Sequence, residues 1–369
     1  MSWVGLLEGE RSWFDAQGLA RLCNAEAPQL DAENTLVPAT PLPRGSMVVE
    51  TRVSPYDRPQ TLLGITTLTG SGFRLSLQAV PGGGIVLVVH RGGQTCHATV
   101  NLDTGGRADL LRITYSWDLT AKTGRLCVEQ PGTFRIEQRA IETPTALSLQ
   151  DVDACINDKD ARVVSSDVSF LAFSDRIEPI GPTPSLSLDT PVMTDTGYRP
   201  VGALQRGDVV QTSTGALVPV LANVQRTVPA VGNFAPIRLR APYFGLAQDI
   251  VTSSTQRLVI GGSRVEYMFG AENVLLPIGH LLHGTAATKG SDLPLATYCQ
   301  LLLPDHQAIL AAGTFVESLD VGRLRRRRDV LRASLLAAYP RALLPEHSRT
   351  AYPVLREFDA LTLAAQRAA

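Results

Sequence analysis

A mainly β chain in two domains is what the sequence predicts, and three observations carry that prediction. Short apolar and β-branched runs alternate with turn residues over most of the chain. Its 31 glycines and 24 prolines are spread along it with no low-complexity tract, as many strands joined by tight turns require. Near the middle, Ile180-Gly181-Pro182-Thr183-Pro184 breaks the pattern, and each residue before a proline is pushed toward extended backbone. A chain of 369 residues exceeds one typical core and suits two, so the boundary is placed at this connector. The expected division is 1–180, 185–320 and a tail at 321–369.

Taken in order, residues 1–45 read as a lead-in with one short helix at 15–23, broken by Pro38, Pro41 and Pro43. Strands are expected at 47–53, 60–67, 73–79, 85–90 and 98–102. Leu111, Ile113, Tyr115 and Trp117 alternate strictly, the mark of a half-buried strand. Strands at 124–129 and 133–141 flank a Gln130-Pro131-Gly132 turn, and 167–173 closes the region. Two packed sheets follow from this series. Beyond Asp320 the period turns helical: over 323–339, Leu324, Val330, Leu331, Leu335 and Leu336 fall near one face, and Pro340 ends the segment.

Composition excludes several classes. Charged residues are 19% of the chain and hydrophobic ones 44%, with a formal net charge of -1, so nothing steers the whole chain toward nucleic acid. Cys23, Cys96, Cys127, Cys155 and Cys299 contain no CxxC pair and are odd in number, which argues against a zinc knuckle or a full disulfide framework. Cys96 and Cys127 stand where two strands could bring them together; buried thiols are the plainer reading. The start, MSWVGLLEGERSW, lacks the basic and long apolar regions of a signal peptide, and no run approaches a membrane span. A cytoplasmic or non-classically secreted chain is expected. Arg325 to Arg328 would surround a helix without forming one stripe, so a solvated helix start is expected there.

The stretch LRITYSWD leading into RLCVEQ gives the first half a diffuse resemblance to laminin-G and concanavalin-like jelly rolls. The second half carries a denser one. SLSLDTPVMTDTGYRPVGALQRGDVVQT, FAPIRLRAPYFGLAQDIVTSSTQRLVI, VEYMFGAENVLLPIGHLLHG and YCQLLLPDHQAILAAGTFVESL follow in the order of the blocks of bacterial Hint (hedgehog/intein) self-processing domains. The resemblance implies an all-β Hint-type fold over about 135 residues, with the Gly207-Asp208 turn launching a strand.

In that family a Cys, Ser or Thr at the head of the first block attacks the carbonyl before it, and a His in the second block donates a proton to the departing nitrogen. By position the nucleophile falls on Ser185 and the histidine on Gln256. A carboxamide hydrogen-bonds but does not titrate near neutral pH, so the resemblance implies catalysis that has decayed. His306, beside Asp305, is the candidate replacement donor. No Asn stands near Glu317 to Asp320 to release the module as an intein does. His280 and His283 share a helical spacing but lack further ligands, and no metal or cofactor is expected.

Three functions are in play. A decayed self-processing module coupled to a binding sandwich is preferred. Autoproteolysis at Pro184-Ser185 through Ser185 is the second, and it acts on the chain itself, with no enzyme activity on other molecules expected. The third is a carbohydrate- or surface-binding protein with the Hint fold as scaffold, for which Tyr56, Trp117 and Phe134 are the aromatic candidates.

Overall fold

Alternation of inward apolar and outward polar side chains builds the first half strand by strand. In chain order these are β1 (Trp3–Glu8), β2 (Arg11–Phe14), β3 (Arg44–Arg52), β4 (Gln60–Thr67), β5 (Phe73–Val80), β6 (Gly84–Arg91), β7 (Gln94–Asn101), β8 (Leu110–Asp118), β9 (Thr123–Glu129), β10 (Ile136–Ile141), β11 (Arg162–Val164) and β12 (Val168–Ser174). The computed structural model describes residues 3–23, 39–53, 59–67, 72–81, 84–102, 110–282 and 285–368. Within them the chain forms two units, Met1–Ile180 with Leu293–Leu295, and Gly181–Asp292 with Ala296–Ala369.

The first unit is a sandwich of two antiparallel sheets, ordered β10-β9-β8-β3-β12-β1-β2 and β11-β4-β5-β6-β7. Met47 and Val49 of β3, Leu75 and Leu77 of β5, Leu87 and Val89 of β6, and Ile113, Tyr115 and Trp117 of β8 share its core. The lead-in expected at 1–45, of which 24–38 lie outside the described residues, begins instead as part of the sheet: Trp3 to Leu7 are apolar enough to form a strand between β12 and β2, and Gly9, at φ +57°, makes the hairpin turn. The helix expected at 15–23 shrinks to a 3₁₀ turn over Leu19–Cys23. On β8 both faces are buried, because Arg112 is neutralised by Glu50 at 3.1 Å and Glu129 at 3.5 Å. One helix, α1 (Leu149–Asn157), was not legible as a period. It is started by a capping box in which Ser148 Oγ accepts from Asp151 N at 3.2 Å and Asp151 Oδ2 accepts from Ser148 N at 2.7 Å. All five cysteines are free thiols.

The second unit is built from β13 (Leu186–Ser187), β14 (Pro191–Thr194), β15 (Gly197–Pro200), β16 (Val209–Gln211), β17 (Leu217–Pro219), β18 (Ala222–Pro229), β19 (Pro236–Leu239), β20 (Ile250–Ser253), β21 (Arg257–Gly261), β22 (Asn273–Pro277), β23 (Ala287–Lys289), β24 (Leu295–Leu302), β25 (Ala308–Ala311) and β26 (Thr314–Glu317), with α2 (Ser263–Phe269) between β21 and β22. One sheet runs β18-β24-β13-β20-β19-β23; the other runs β17-β16-β14-β25-β26-β21-β22, with β15 on β14. Leu186, Val192, Val210, Leu258, Cys299, Leu301 and Val316 lie in their common core. The Gly207-Asp208 turn does launch a strand, β16, with Asp208 Oδ2 accepting from Gln205 N at 2.9 Å.

The continuous helix expected over 323–339 is not formed. A 3₁₀ turn at Leu324–Arg326 and α3 (Arg328–Arg332) take its place, and the C-terminal helix is α4 (Glu357–Ala368). Ser334 ends α3 by turning its hydroxyl back on Leu331 O at 2.9 Å while accepting from Leu336 N at 3.1 Å, a local alternative to helical bonding. Arg325 and Arg326 are not simply solvated: both grip Glu346, at 3.1 and 2.7 Å. No helix among the described residues is long and apolar enough to cross a membrane.

Candidate functional site

Ser185 stands at the entrance of β13, where proline leaves the chain little freedom. Pro184 is buried, and Leu186 pairs with Thr252 of β20 on one side and Cys299 of β24 on the other. Ser253 N donates to Ser185 O at 2.7 Å, which fixes the serine backbone. The side chain is 6% exposed, so its hydroxyl must find partners inside the protein.

It finds two amides. Ser185 Oγ donates toward Gln256 Oε1 at 2.5 Å and Gln300 Oε1 at 2.9 Å, and Ser185 N donates to Gln300 Oε1 at 3.2 Å. Gln256 occupies the turn between β20 and β21. Its own backbone bonds to Ser253 O and Ile278 N, and Gly279 N donates to Ser254 O at 2.9 Å. A side chain at Gly279 would press on that carbonyl, 3.2 Å from the added Cβ, so glycine allows the close approach that holds the turn. Gln300 lies on β24, next to Cys299. Both glutamines are almost fully buried, at 1% and 3% exposure.

Backbone groups determine which way each amide faces. Gln256 Nε2 donates to Arg257 O at 2.9 Å and Glu317 O at 3.3 Å; Gln300 Nε2 donates to Glu317 O at 2.6 Å and to Gln256 Oε1 at 3.2 Å. A carbonyl accepts only, so each NH₂ must point at it and each amide oxygen must point at Ser185. Both hydrogens of the serine therefore meet acceptors that do not titrate. The nearest thiol offers no substitute nucleophile, since burial, aided by Asp189, pushes Cys299 up to about 12.

The titratable groups lie one step behind. Glu317 closes β26; its carbonyl serves the glutamines, while its carboxylate takes Arg257 Nη1 at 2.8 Å and lies 2.8 Å from His306 Nε2. His306 Nδ1 accepts from Ala351 N at 2.8 Å. That bond places the ring proton on Nε2, although the N–H points off the line to Glu317 and Nε2 completes no hydrogen bond. His347 stands beside it, with ring centroids 5.8 Å apart, accepting from Val321 N at 3.2 Å and lying 3.6 Å from Asp320. Burial works to raise Asp320, but the bond to His347, the nearby His306 and the Gly322 amide outweigh it and hold this carboxyl below its usual range.

Ser185 and Gln256 are thus in direct contact, whereas His306 reaches them only through Glu317. Gln300 is the site residue that sequence reasoning missed; its signal is a lone polar side chain within the apolar run Tyr298 to Leu303. His306, Glu317 and Asp320 present ligand atoms within 4.8 Å of one another. The donor set does not suit a metal ion, because the Ala351 amide keeps the proton on the nitrogen that would have to ligate and Arg257 already holds Glu317. His280 is half-buried on the 3₁₀ turn at Ile278–Leu281, and His283 lies outside the described residues.

On the sandwich, Trp117 is 1% exposed and donates Nε1–H to Leu42 O at 3.1 Å, so it is a core residue and no stacking platform. Phe134 is 42% exposed, and Tyr56 lies outside the described residues. A cavity of about 540 Å³ runs between β7 and the end of β10, lined by Thr95, His97, Thr99, Arg139, Glu142 and Thr143 among others.

Comparison with known proteins fits the second unit to a family. Residues 184–323 match the family model of the Hint domain. Solved structures similar to the chain include the gp41-1 intein, at 14% identity over 36% of this chain and 97% of that one with a TM-score of 0.26. The MchDnaB-1 intein is 18% identical over 36% of this chain and 98% of that one, with a TM-score of 0.23. The CBM40 of the Ruminococcus gnavus IT-sialidase is 14% identical over 36% of this chain and 77% of that one, with a TM-score of 0.26. No curated protein matches the chain.

Proposed function

We propose that the Hint domain at 184–323 is a decayed self-processing module that holds a nucleophile without using it, coupled to a sandwich that binds a ligand. The observation that carries this reading is the pair of amide oxygens facing Ser185. For cleavage, the Oγ–C bond to the Pro184 carbonyl must form and the Pro184–Ser185 C–N bond must break. The hydroxyl proton must leave, and the departing nitrogen must gain one. Here the hydroxyl donates to Gln256 and Gln300, and Ser185 N–H points at the oxygen of Gln300. An amide oxygen is far too weak a base to keep the first proton, and it has none to give to the nitrogen. General acid and base help each supply about 10²- to 10⁴-fold in rate, so both losses together silence the reaction.

Restoring a titratable ring tests this. Gln256→His and Gln300→His, singly and together, should give slow cleavage at Pro184–Ser185 in at least one variant, read by intact mass, and adding Ser185→Ala should abolish it. Cleavage that persists without the hydroxyl would refute Ser185 as the nucleophile.

For the sandwich, the cleft between β7 and β10 favours a polar ligand such as a glycan or a surface polyol. Its volume falls within the ~300–1,000 Å³ of small-molecule sites, and its side chains combine hydroxyls, an imidazole, a guanidinium and a carboxylate. Chemical-shift or glycan-array screening of the wild type against Arg139→Ala tests it; binding that ignores Arg139 would move the ligand elsewhere.

A further inference from the structure

We propose that His306 is a proton-operated latch: in its neutral form it fastens the C-terminal strap, residues 345–355, to the Hint domain, and on protonation it lets the strap go. The strap is held at its start by Glu346, which takes Arg325 and Arg326, and by the His347 ring, whose Nδ1 accepts from Val321 N at 3.2 Å and whose Nε2 meets Leu303 O at 3.2 Å, and along its length by backbone bonds. His347 N donates to Gly322 O at 2.8 Å, Ala351 N to His306 Nδ1 at 2.8 Å, Leu275 N to Pro353 O at 2.8 Å, and Leu355 N to Leu275 O at 2.9 Å. Tyr352 Oη meets Ser213 Oγ at 2.8 Å, and Leu344 and Leu355 anchor the two ends in apolar surroundings.

Two of these bonds, from Ala351 N to His306 Nδ1 and from Val321 N to His347 Nδ1, differ from the others in having an imidazole nitrogen as acceptor. Carbonyls and hydroxyls accept at any ordinary pH, whereas Nδ1 accepts only while unprotonated. Because the first ring proton already sits on Nε2, a second has only Nδ1 to occupy, where it would confront the Ala351 N–H head on. His306 is 6% exposed, so water cannot replace the lost partner while the strap stays down. The amide must swing away, and residues 348–354 with it.

The titratable and charged groups around the ring are few. Glu317, at 2.8 Å and itself held by Arg257 through the same oxygen, and Asp320 are the charged groups that face the ring. His347 lies 5.8 Å away between centroids. Asp305 is a solvent-facing chain neighbour, and Glu346 is occupied by Arg325 and Arg326. His347 is the poorer switch of the two: a proton on its Nδ1 would displace the Val321 bond but would find the Asp320 carboxylate 3.6 Å away as a new acceptor. A proton on His306 Nδ1 and the strap bond therefore exclude each other, which is what a latch requires.

Hydrogen exchange on the full chain, corrected for the intrinsic pH dependence of exchange, tests the latch. Between about pH 7.5 and about pH 5.5, the range over which imidazoles act as switches, protection over 348–354 should fall roughly tenfold or more while β14 and β25 stay protected. His306→Asn places Oδ1 near the position of Nδ1 and cannot gain a proton, so its strap should keep its protection at both pH values. Wild-type protection that does not change with pH, or that collapses equally in β14 and β25, overturns the latch whether or not the variant folds. A folded His306→Asn that loses protection as the wild type does overturns it as well.

Discussion

Around Ser185 the buried polar atoms belong to two carboxamides and the backbone; one residue further, past the carbonyl of Glu317, they belong to an arginine, two carboxylates and two imidazoles. The first layer binds hydrogens and cannot exchange them at neutral pH. The second can exchange them but makes no bond to the serine. Burial alone therefore does not separate a reactive site from an inert one: both layers are almost dry, and what differs is which layer touches the nucleophile. Hydrogen-bond satisfaction has been kept at Ser185 while proton transfer has been given up, as expected where holding the fold together outweighs chemistry.

The charged layer should be the costlier to disturb. Glu317→Ala leaves Arg257 and His306 facing each other without their shared carboxylate. Breaking a buried pair on one side costs about 3–5 kcal/mol, so denaturant unfolding should show a loss near that size. A loss below about 1 kcal/mol would mean the two layers are energetically alike. Gln300→Ala should cost less, about 1–3 kcal/mol, by orphaning Ser185 N and one bond to Glu317 O.

Acid sharpens the comparison from another side. Asp320 is held below its usual range, so its contribution is present above the unfolded value near 3.9 and is lost as pH falls through the lower folded one. Stability should decline more steeply in that window in the wild type than in Asp320→Asn, in which Asp208 and Glu346 still titrate, a separate event from release of the strap. Ser185→Ala should have the smallest effect, about 1 kcal/mol, since each amide oxygen keeps another donor. The two units should also unfold as separate cooperative transitions when 1–180 and 181–369 are expressed apart; failure of both to fold would remove the boundary at the proline connector.

The sequence made the sandwich legible wherever strands alternate cleanly, as in β5 and β6, and obscured it where one strand is buried on both faces. On β8, Arg112 sits inside because Glu50 and Glu129 neutralise it, a pairing across three strands that no local period reveals. Block order pointed to Ser185 and Gln256, but Gln300 reads locally as one polar position in an apolar strand, and only its partner makes it part of the site. The tail misled for a related reason. Leucine spacing favours a long helix over 323–339, yet Ser334 bonds back to Leu331, and Arg325 and Arg326 reach a glutamate twenty residues away.

Whether an untitratable first layer silences Ser185 is tested most directly by the intact mass of the unmodified chain, held for days at neutral pH with hydroxylamine present to trap any ester. One species at 39.6 kDa is the predicted result. Two fragments dividing at Pro184–Ser185, with Ser185→Ala remaining whole, would show that the serine reacts without a titratable partner and would contradict the account.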